Sequence, residues 1–217
     1  MRKIFFVLAI IGFGVLFTRA QTFDTDDNQS WNDVQITVPM IKEFDFTLTG
    51  TFRFGKNITR LNDRRIAAGF VYKPNKSWSF QPFYWNIVAR NASGRFLTEH
   101  RLNFRATYRF PFKNFGLSHR SWIERRLRQP RNSWRYRPSL TFEKDIKKII
   151  PDARVFVTEE VFYDSILKKF SRNRLSIGIN KTLTKNLTLD VFYMRQNDGF
   201  SRPGDLNVVG TACRIRL

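Results

Sequence analysis

In the stretch SHRSW, His119 and Ser121 stand two residues apart, so in an extended chain both side chains leave the same face. An imidazole beside a hydroxyl is the smallest unit of acyl hydrolysis, the ring accepting the proton as the oxygen attacks. No asparagine or carboxylate can be assigned to orient the ring, so this pair defines a minor hydrolase alternative and no catalytic residue is assigned. His100 is the only other histidine. A glycosidase-type pair of carboxylates is not supported, because Glu99, Glu124 and Glu160 each have an arginine near enough in sequence or register to be a structural partner. Cys213 is the only cysteine, which excludes an intrachain disulfide and a thiolate metal site. Neither a cofactor nor a metal is expected.

Arginine is the residue type that is arranged with purpose. In HRLNFRATYRF, residues 100–110, His100, Leu102, Phe104, Ala106, Tyr108 and Phe110 alternate with Arg101, Asn103, Arg105, Thr107 and Arg109. A period of two is the signature of a strand with two unlike faces. The same alternation recurs along the chain. Phe44, Phe46, Leu48, Phe52 and Phe54 oppose Asp45, Thr47, Thr49, Thr51 and Arg53, and Leu175, Ile177 and Ile179 oppose Arg172, Arg174, Ser176 and Asn180. Eleven such segments are read near 31–39, 44–54, 64–73, 78–90, 97–110, 115–128, 133–144, 153–164, 170–182, 186–196 and 205–217. Helical periodicity is absent. Most of these segments exceed the usual five or six residues of a globular strand and match the roughly 9–11 tilted residues that cross a hydrocarbon core.

These features predict an all-β protein, a single antiparallel transmembrane-type β-barrel of about 10 to 12 strands over residues 31–217. Residues 1–20, with Arg2 and Lys3 before the apolar run Ile4–Phe17 and Thr18-Arg19-Ala20 before Gln21, read as a cleaved signal peptide, and residues 21–30 as a polar lead. Tight turns such as 73–76 and 184–186 and longer links such as 56–63, 128–133 and 197–205 are expected at opposite ends. Apolar or small residues at Val209, Thr211, Cys213, Ile215 and Leu217 form a terminal strand of the kind read by barrel-assembly machinery. Eleven strands conflict with an antiparallel closure, which needs an even count. That points to ten spanning strands, or to a short twelfth from residues 21–30.

Lipid charges about 2–4 kcal/mol for an arginine at the bilayer midplane, so the arginine faces are expected to line the lumen. Arg53, Arg101, Arg105, Arg109, Arg120, Arg135, Arg137, Arg172 and Arg174 would meet Glu99, Glu124, Glu143 and Glu160 there. Nine guanidiniums against four carboxylates can pack as a hydrogen-bonded plug, or leave a positive interior that favours small anionic solutes such as acidic sugars or phosphates. A second basic set, Lys56, Arg60, Arg64, Arg90, Arg95, Arg128, Arg131, Lys168, Lys169 and Arg202, falls in the links, where it would face lipopolysaccharide phosphates at an outer-membrane rim. Trp31, Trp78, Trp85, Trp122, Trp134 and Tyr193 suit interfacial girdles. A formal net charge of +20 in 217 residues raises nucleic acid as a partner, but an exported chain with its arginines dispersed strand by strand excludes that class.

At RSWIERR (120–126) and WRYR (134–137), the chain resembles the bacterial family known as domain of unknown function 2490, whose members look like outer-membrane barrels. Trp31, Arg53 in TFRF, Glu99 to Arg101 in EHR, Thr158 to Glu160 in TEE, and Arg174 extend the resemblance over the chain from Trp31 onward. It implies the barrel and brings no activity. The His-x-Ser spacing also resembles outer-membrane phospholipase A, a lipid-facing hydrolase. The combined expectation is a non-enzymatic outer-membrane barrel with an arginine-rich lumen, a narrow anion-preferring channel or a structural barrel. A lipid-modifying hydrolase and a soluble periplasmic protein binding an acidic ligand are the alternatives.

Overall fold

Strands whose two faces differ this sharply must place one face against a polar interior and the other against an apolar surround, and closing the sheet on itself does both. The computed structural model describes residues 26–91 and 93–217, so the signal peptide expected at 1–20 lies outside the described residues. The strands are β1 (Asp27–Ile41), β2 (Phe44–Gly55), β3 (Arg60–Tyr72), β4 (Trp78–Arg90), β5 (Phe96–Phe110), β6 (Gly116–Leu127), β7 (Ser133–Tyr136), β8 (Ser139–Asp145), β9 (Ala153–Asp164), β10 (Lys169–Thr184), β11 (Leu187–Asp198) and β12 (Leu206–Arg216). β1 begins at Asp27, so the end of the polar lead joins the wall.

β7 and β8 are one spanning strand interrupted at Arg137–Pro138. Both pair with β6 on one side and β9 on the other, in one continuous register. Proline has no N–H to give the ladder. Around it, Arg137 N donates to Trp122 O at 2.7 Å and Val161 N to Pro138 O at 3.1 Å. Twelve segments therefore occupy eleven positions around the wall.

The parity conflict is resolved by the closing seam. β1 and β12 run parallel, with Trp31 opposite Gly210 and Asn32 opposite Thr211, while every other neighbouring pair is antiparallel. A single parallel pair lets an odd number of strands close, and neither dropping a strand nor adding one from the lead is required. Gly210, opposite Trp31 in the seam, leaves room for the Phe192 ring of β11, which a Cβ there would meet. A further consequence is that β1 starts at one end of the barrel, here called the N-terminal end, and β12 finishes at the other, the C-terminal end. Links at the N-terminal end are four to seven residues long and those at the C-terminal end two to seven, so the expected contrast in length is weak. Charge does not separate the ends either: the basic residues assigned to the links fall at the N-terminal end, except Arg64 within β3, but the links of the C-terminal end carry Lys42, Lys73, Lys76, Lys113, Lys147, Lys148 and Lys185.

The outer wall is an apolar belt. Leu48, Ile66, Leu102, Phe104, Ile123, Leu175, Ile177 and Val191 are all exposed on it. A soluble β-protein would not leave such a continuous apolar surface open to water. Trp78, Trp134 and Tyr193 face outward as expected, the first stacked on Phe80. Trp31, Trp85 and Trp122 do not: they point inward and are buried, which corrects the girdle assignment for these three. Their strand positions share parity with the lumenal arginines, and guanidiniums stack on their rings. Ile177→Arg should lower the unfolding free energy of detergent-refolded protein by about 2–4 kcal/mol, read from the urea midpoint, whereas Ser176→Asn on the inner face should leave the midpoint unchanged.

Candidate functional site

The inward rows of β5 to β10 bring guanidiniums and carboxylates together in the N-terminal half of the lumen, where burial forbids leaving either unpaired. Glu124 on β6 is fully buried and accepts from Arg137 Nη1 at 2.7 Å and Arg101 Nη1 at 3.4 Å. Glu99 accepts from Arg101 Nε at 2.8 Å and from Arg126 Nε and Nη2 at 2.6 and 3.0 Å. Asp164 binds Arg135 at 3.1 Å and Arg126 at 3.7 Å, while Arg172 pairs with Asp198 and Arg65 with Asp63. With Phe162, Ile87, Leu206 and Val208 packed beside them, these groups fill that half of the barrel.

The other half is open. A cavity of ≈ 340 Å³ lies on the C-terminal side of the plug, walled by Thr47, Thr49, Thr51, Gln81, Thr158 and Ser176. Beyond it, inward positions near the C-terminal end, including Arg109, Arg154 and Arg216, are exposed. The lining contains six arginines (Arg53, Arg105, Arg120, Arg137, Arg174 and Arg214) and three carboxylates (Asp33, Glu160 and Asp190), which leaves it positive. Glu160 is shared by three of the arginines: Arg120 at 2.7 Å, Arg137 at 2.8 Å and Arg174 at 3.8 Å. Asp190 is held by Arg214, and Asp33 accepts the Thr51 hydroxyl at 2.6 Å.

Arg53 and Arg105 differ from the rest. Among the described residues, neither forms an ion pair, and the buried Nε of each has no hydrogen-bond partner. Aromatic faces hold them instead. The Arg53 guanidinium lies 3.5 Å from the Trp31 ring centroid, and that of Arg105 lies 3.7 Å from Trp122 and 4.4 Å from Phe83. Arg105 Nη1 also donates to Gln81 Oε1 at 3.3 Å. A ring face fixes a guanidinium through its quadrupole without consuming an N–H. These two cations are thus positioned and retain donors for an anion.

All nine arginines expected in the lumen fall on inward positions, but they divide among three places. Arg101, Arg135 and Arg172 belong to the plug; Arg53, Arg105, Arg120 and Arg174 line the cavity; Arg137 bridges the two through Glu124 and Glu160. Arg109 is exposed near the C-terminal end. Glu99, Glu124 and Glu160 pair as expected, whereas Glu143 sits near that end beside Gly116, without an ion pair among the described residues. The expected ratio of nine to four is corrected by Asp63, Asp164 and Asp198, which neutralise the plug, and by Arg65 and Arg126, which join it. Arg65 and Arg126 stand in Arg-Arg doublets, where alternation alone does not say which member turns in; Asp63 and Asp164 on the same faces were the available signal.

His119 and Ser121 do meet. His119 Nε2 is 3.1 Å from Ser121 Oγ, which is also 3.1 Å from Tyr136 Oη. All three side chains face outward, away from the cavity, and no carboxylate or amide holds the imidazole among the described residues. The pair has hydrogen-bond geometry without the orienting group that acyl transfer needs.

The family model described as "Protein of unknown function (DUF2490)" matches residues 28–207. Among solved structures, the chain is similar to the NanC porin, with a TM-score of 0.52 and 10% identity over 84% of this chain and 93% of that one. It is also similar to the KdgM porin, with a TM-score of 0.48 and 14% identity over 76% and 82% of the two chains. A third similarity is to the anion-selective porin from Comamonas acidovorans, at a TM-score of 0.42 and 12% identity, covering 81% of this chain and 54% of that one. No curated protein matches. At these identities the likeness is one of fold.

Removing one carboxylate from the plug strands buried cations. Glu124→Ala should therefore destabilise the refolded barrel by about 3–5 kcal/mol, measured by urea titration, while Glu143→Ala should leave it within about 0.5 kcal/mol of the parent.

Proposed function

We propose, on the premise that the chain belongs to the DUF2490 family and has a porin-like fold, that it is an outer-membrane barrel whose lumen admits and holds small anions. The observation that carries this reading is the pair Arg53 and Arg105, set on aromatic rings at the wall of a positive cavity and, among the described residues, outside any ion pair. A cavity lined by excess fixed charge concentrates counter-ions, and low-dielectric walls strengthen the effect. Phosphate and carboxylate groups match a guanidinium fork in charge and in geometry.

The plug defines how such a barrel works. Entry is from the C-terminal end, and continuous passage requires the ion pairs around Glu124 and Glu99 to rearrange. In this reading β12 is the strand handed to the assembly machinery, the C-terminal end lies in the periplasm with the cavity opening there, and basic residues of the opposite rim meet lipopolysaccharide phosphates. The reading is non-enzymatic. Its support is the porin-like fold together with a His119–Ser121 pair that lacks an orienting group and lies outside the cavity.

In planar bilayers the parent protein should give small conductance events that favour anions. Arg53→Gln with Arg105→Gln should abolish that preference while keeping the heat-modifiable gel migration of a folded barrel. Cation preference in the parent, or an unchanged preference in the variant, would refute the proposal.

A further inference from the structure

Seven polar side chains on β6, β7, β9, β10 and β11 interrupt the apolar outer wall. They form two hydrogen-bonded ladders that start nearer the N-terminal end and descend to the waist. One runs from Arg195 Nε to Asn197 Oδ1 at 3.3 Å, from Asn197 Nδ2 to Asn173 Oδ1 at 3.1 Å, and from Asn173 Nδ2 to Glu159 Oε1 at 3.3 Å. The other is Tyr136, Ser121 and His119. Glu159 lies between Leu140 and Leu175 in register, and among the described residues no cation pairs with it. His119 lies opposite Leu140 on the other side. The carboxylate and the imidazole therefore flank Leu140, two strand spacings or roughly 9–10 Å apart, too far to meet within one barrel.

Ionisable groups facing hydrocarbon are costly and mark a surface with a partner. We infer that this face, from β6 to β10, binds a second copy of the chain about a two-fold axis near Leu140, so that His119 of each copy meets Glu159 of the other. The argument is complementarity of charge and of placement. One ladder ends in an acceptor and the other in a donor, and they lie on either side of a common apolar strip. A two-fold axis along the membrane normal, passing between two such strips, sets each ladder against its complement twice, which is the defining property of an isologous contact. Hydrogen bonds made in this way replace contacts with lipid, which offers no partner to the second carboxylate oxygen of Glu159 or to Nδ1 of His119. The inference needs the barrel to sit in a bilayer but is independent of anion binding.

The test uses full-length protein in phospholipid vesicles with Cys213→Ser, since Cys213 lies on the outer wall four strands from β8. A residue near the axis meets its own copy, so Leu140→Cys should form a disulfide-linked dimer on oxidation, and Leu48→Cys on β2, across the barrel, should not. Adding Glu159→Ala or His119→Ala should lower the dimer yield about fivefold, the scale of losing an intramembrane hydrogen bond. Exchanging the two, with His119→Glu and Glu159→His in one chain, should restore it. Absence of the Leu140→Cys dimer, an undiminished yield with Glu159→Ala, or an exchange variant no better than the single changes would overturn the inference.

Discussion

A guanidinium cannot be left facing hydrocarbon without a cost of about 2–4 kcal/mol, and that penalty organises the whole barrel. It decides which face of each strand turns inward, and through the period of two it decides the register of each pairing, since a slip of one residue would send a row of arginines into lipid. The inward rows then face a second constraint. A charge inside a narrow lumen must be paired, because water no longer solvates it fully. The N-terminal half meets this demand with interlocked carboxylates and closes. The C-terminal half does not, and stays open and positive.

Pairing explains why the boundary between the halves falls where it does. Arg137 reaches Glu124 on the plug side and Glu160 on the cavity side, so one guanidinium joins both networks. Glu160 already serves three arginines, and no carboxylate forms an ion pair with Arg53 or Arg105 among the described residues. Their charges persist because Trp31, Trp122 and Phe83 offer π faces in place of carboxylates. Had an acid stood at Thr49 or Thr51, the cavity would have been another piece of plug. Hydroxyls there keep the wall polar without cancelling the positive field.

Much of this was legible in the amino-acid sequence, because alternation in β2, β5 and β10 is nearly unbroken and says which side chains share a face. Two things were not. Parity of the strand count cannot reveal a parallel seam, since β1 and β12 are far apart in sequence and each satisfies its own alternation whichever way its neighbour runs. The tryptophans were misjudged for a related reason: an aromatic suits an interface and a crowded lumen equally, and only parity with neighbouring arginines distinguishes them. Trp122 between Arg120 and Glu124 carried that signal; Trp85, flanked by Tyr84 and Asn86, carried it less clearly. The charge ratio failed because carboxylates were sought among the glutamates, while Asp63, Asp164 and Asp198 near strand ends did as much to neutralise the interior.

The parallel seam also bears on what the outer wall can do. In a barrel of eleven positions no two-fold pseudo-symmetry relates one side to the other, so polar groups need not be distributed evenly around the belt. At the seam, outward Asn32 and Thr211 bond to each other at 2.8 Å, and the wall there is satisfied by its own side chains. On the β6–β10 face, the deepest groups, Glu159 and His119, retain unused hydrogen-bonding capacity. These regions differ in kind, as does the exposed group of Tyr84, Asn86 and His100 on β4 and β5: the seam completes the ladder that closes the barrel, and the β6–β10 face points away from it. On that face an acceptor and an imidazole flank one apolar strip, an arrangement that a second copy of the chain completes.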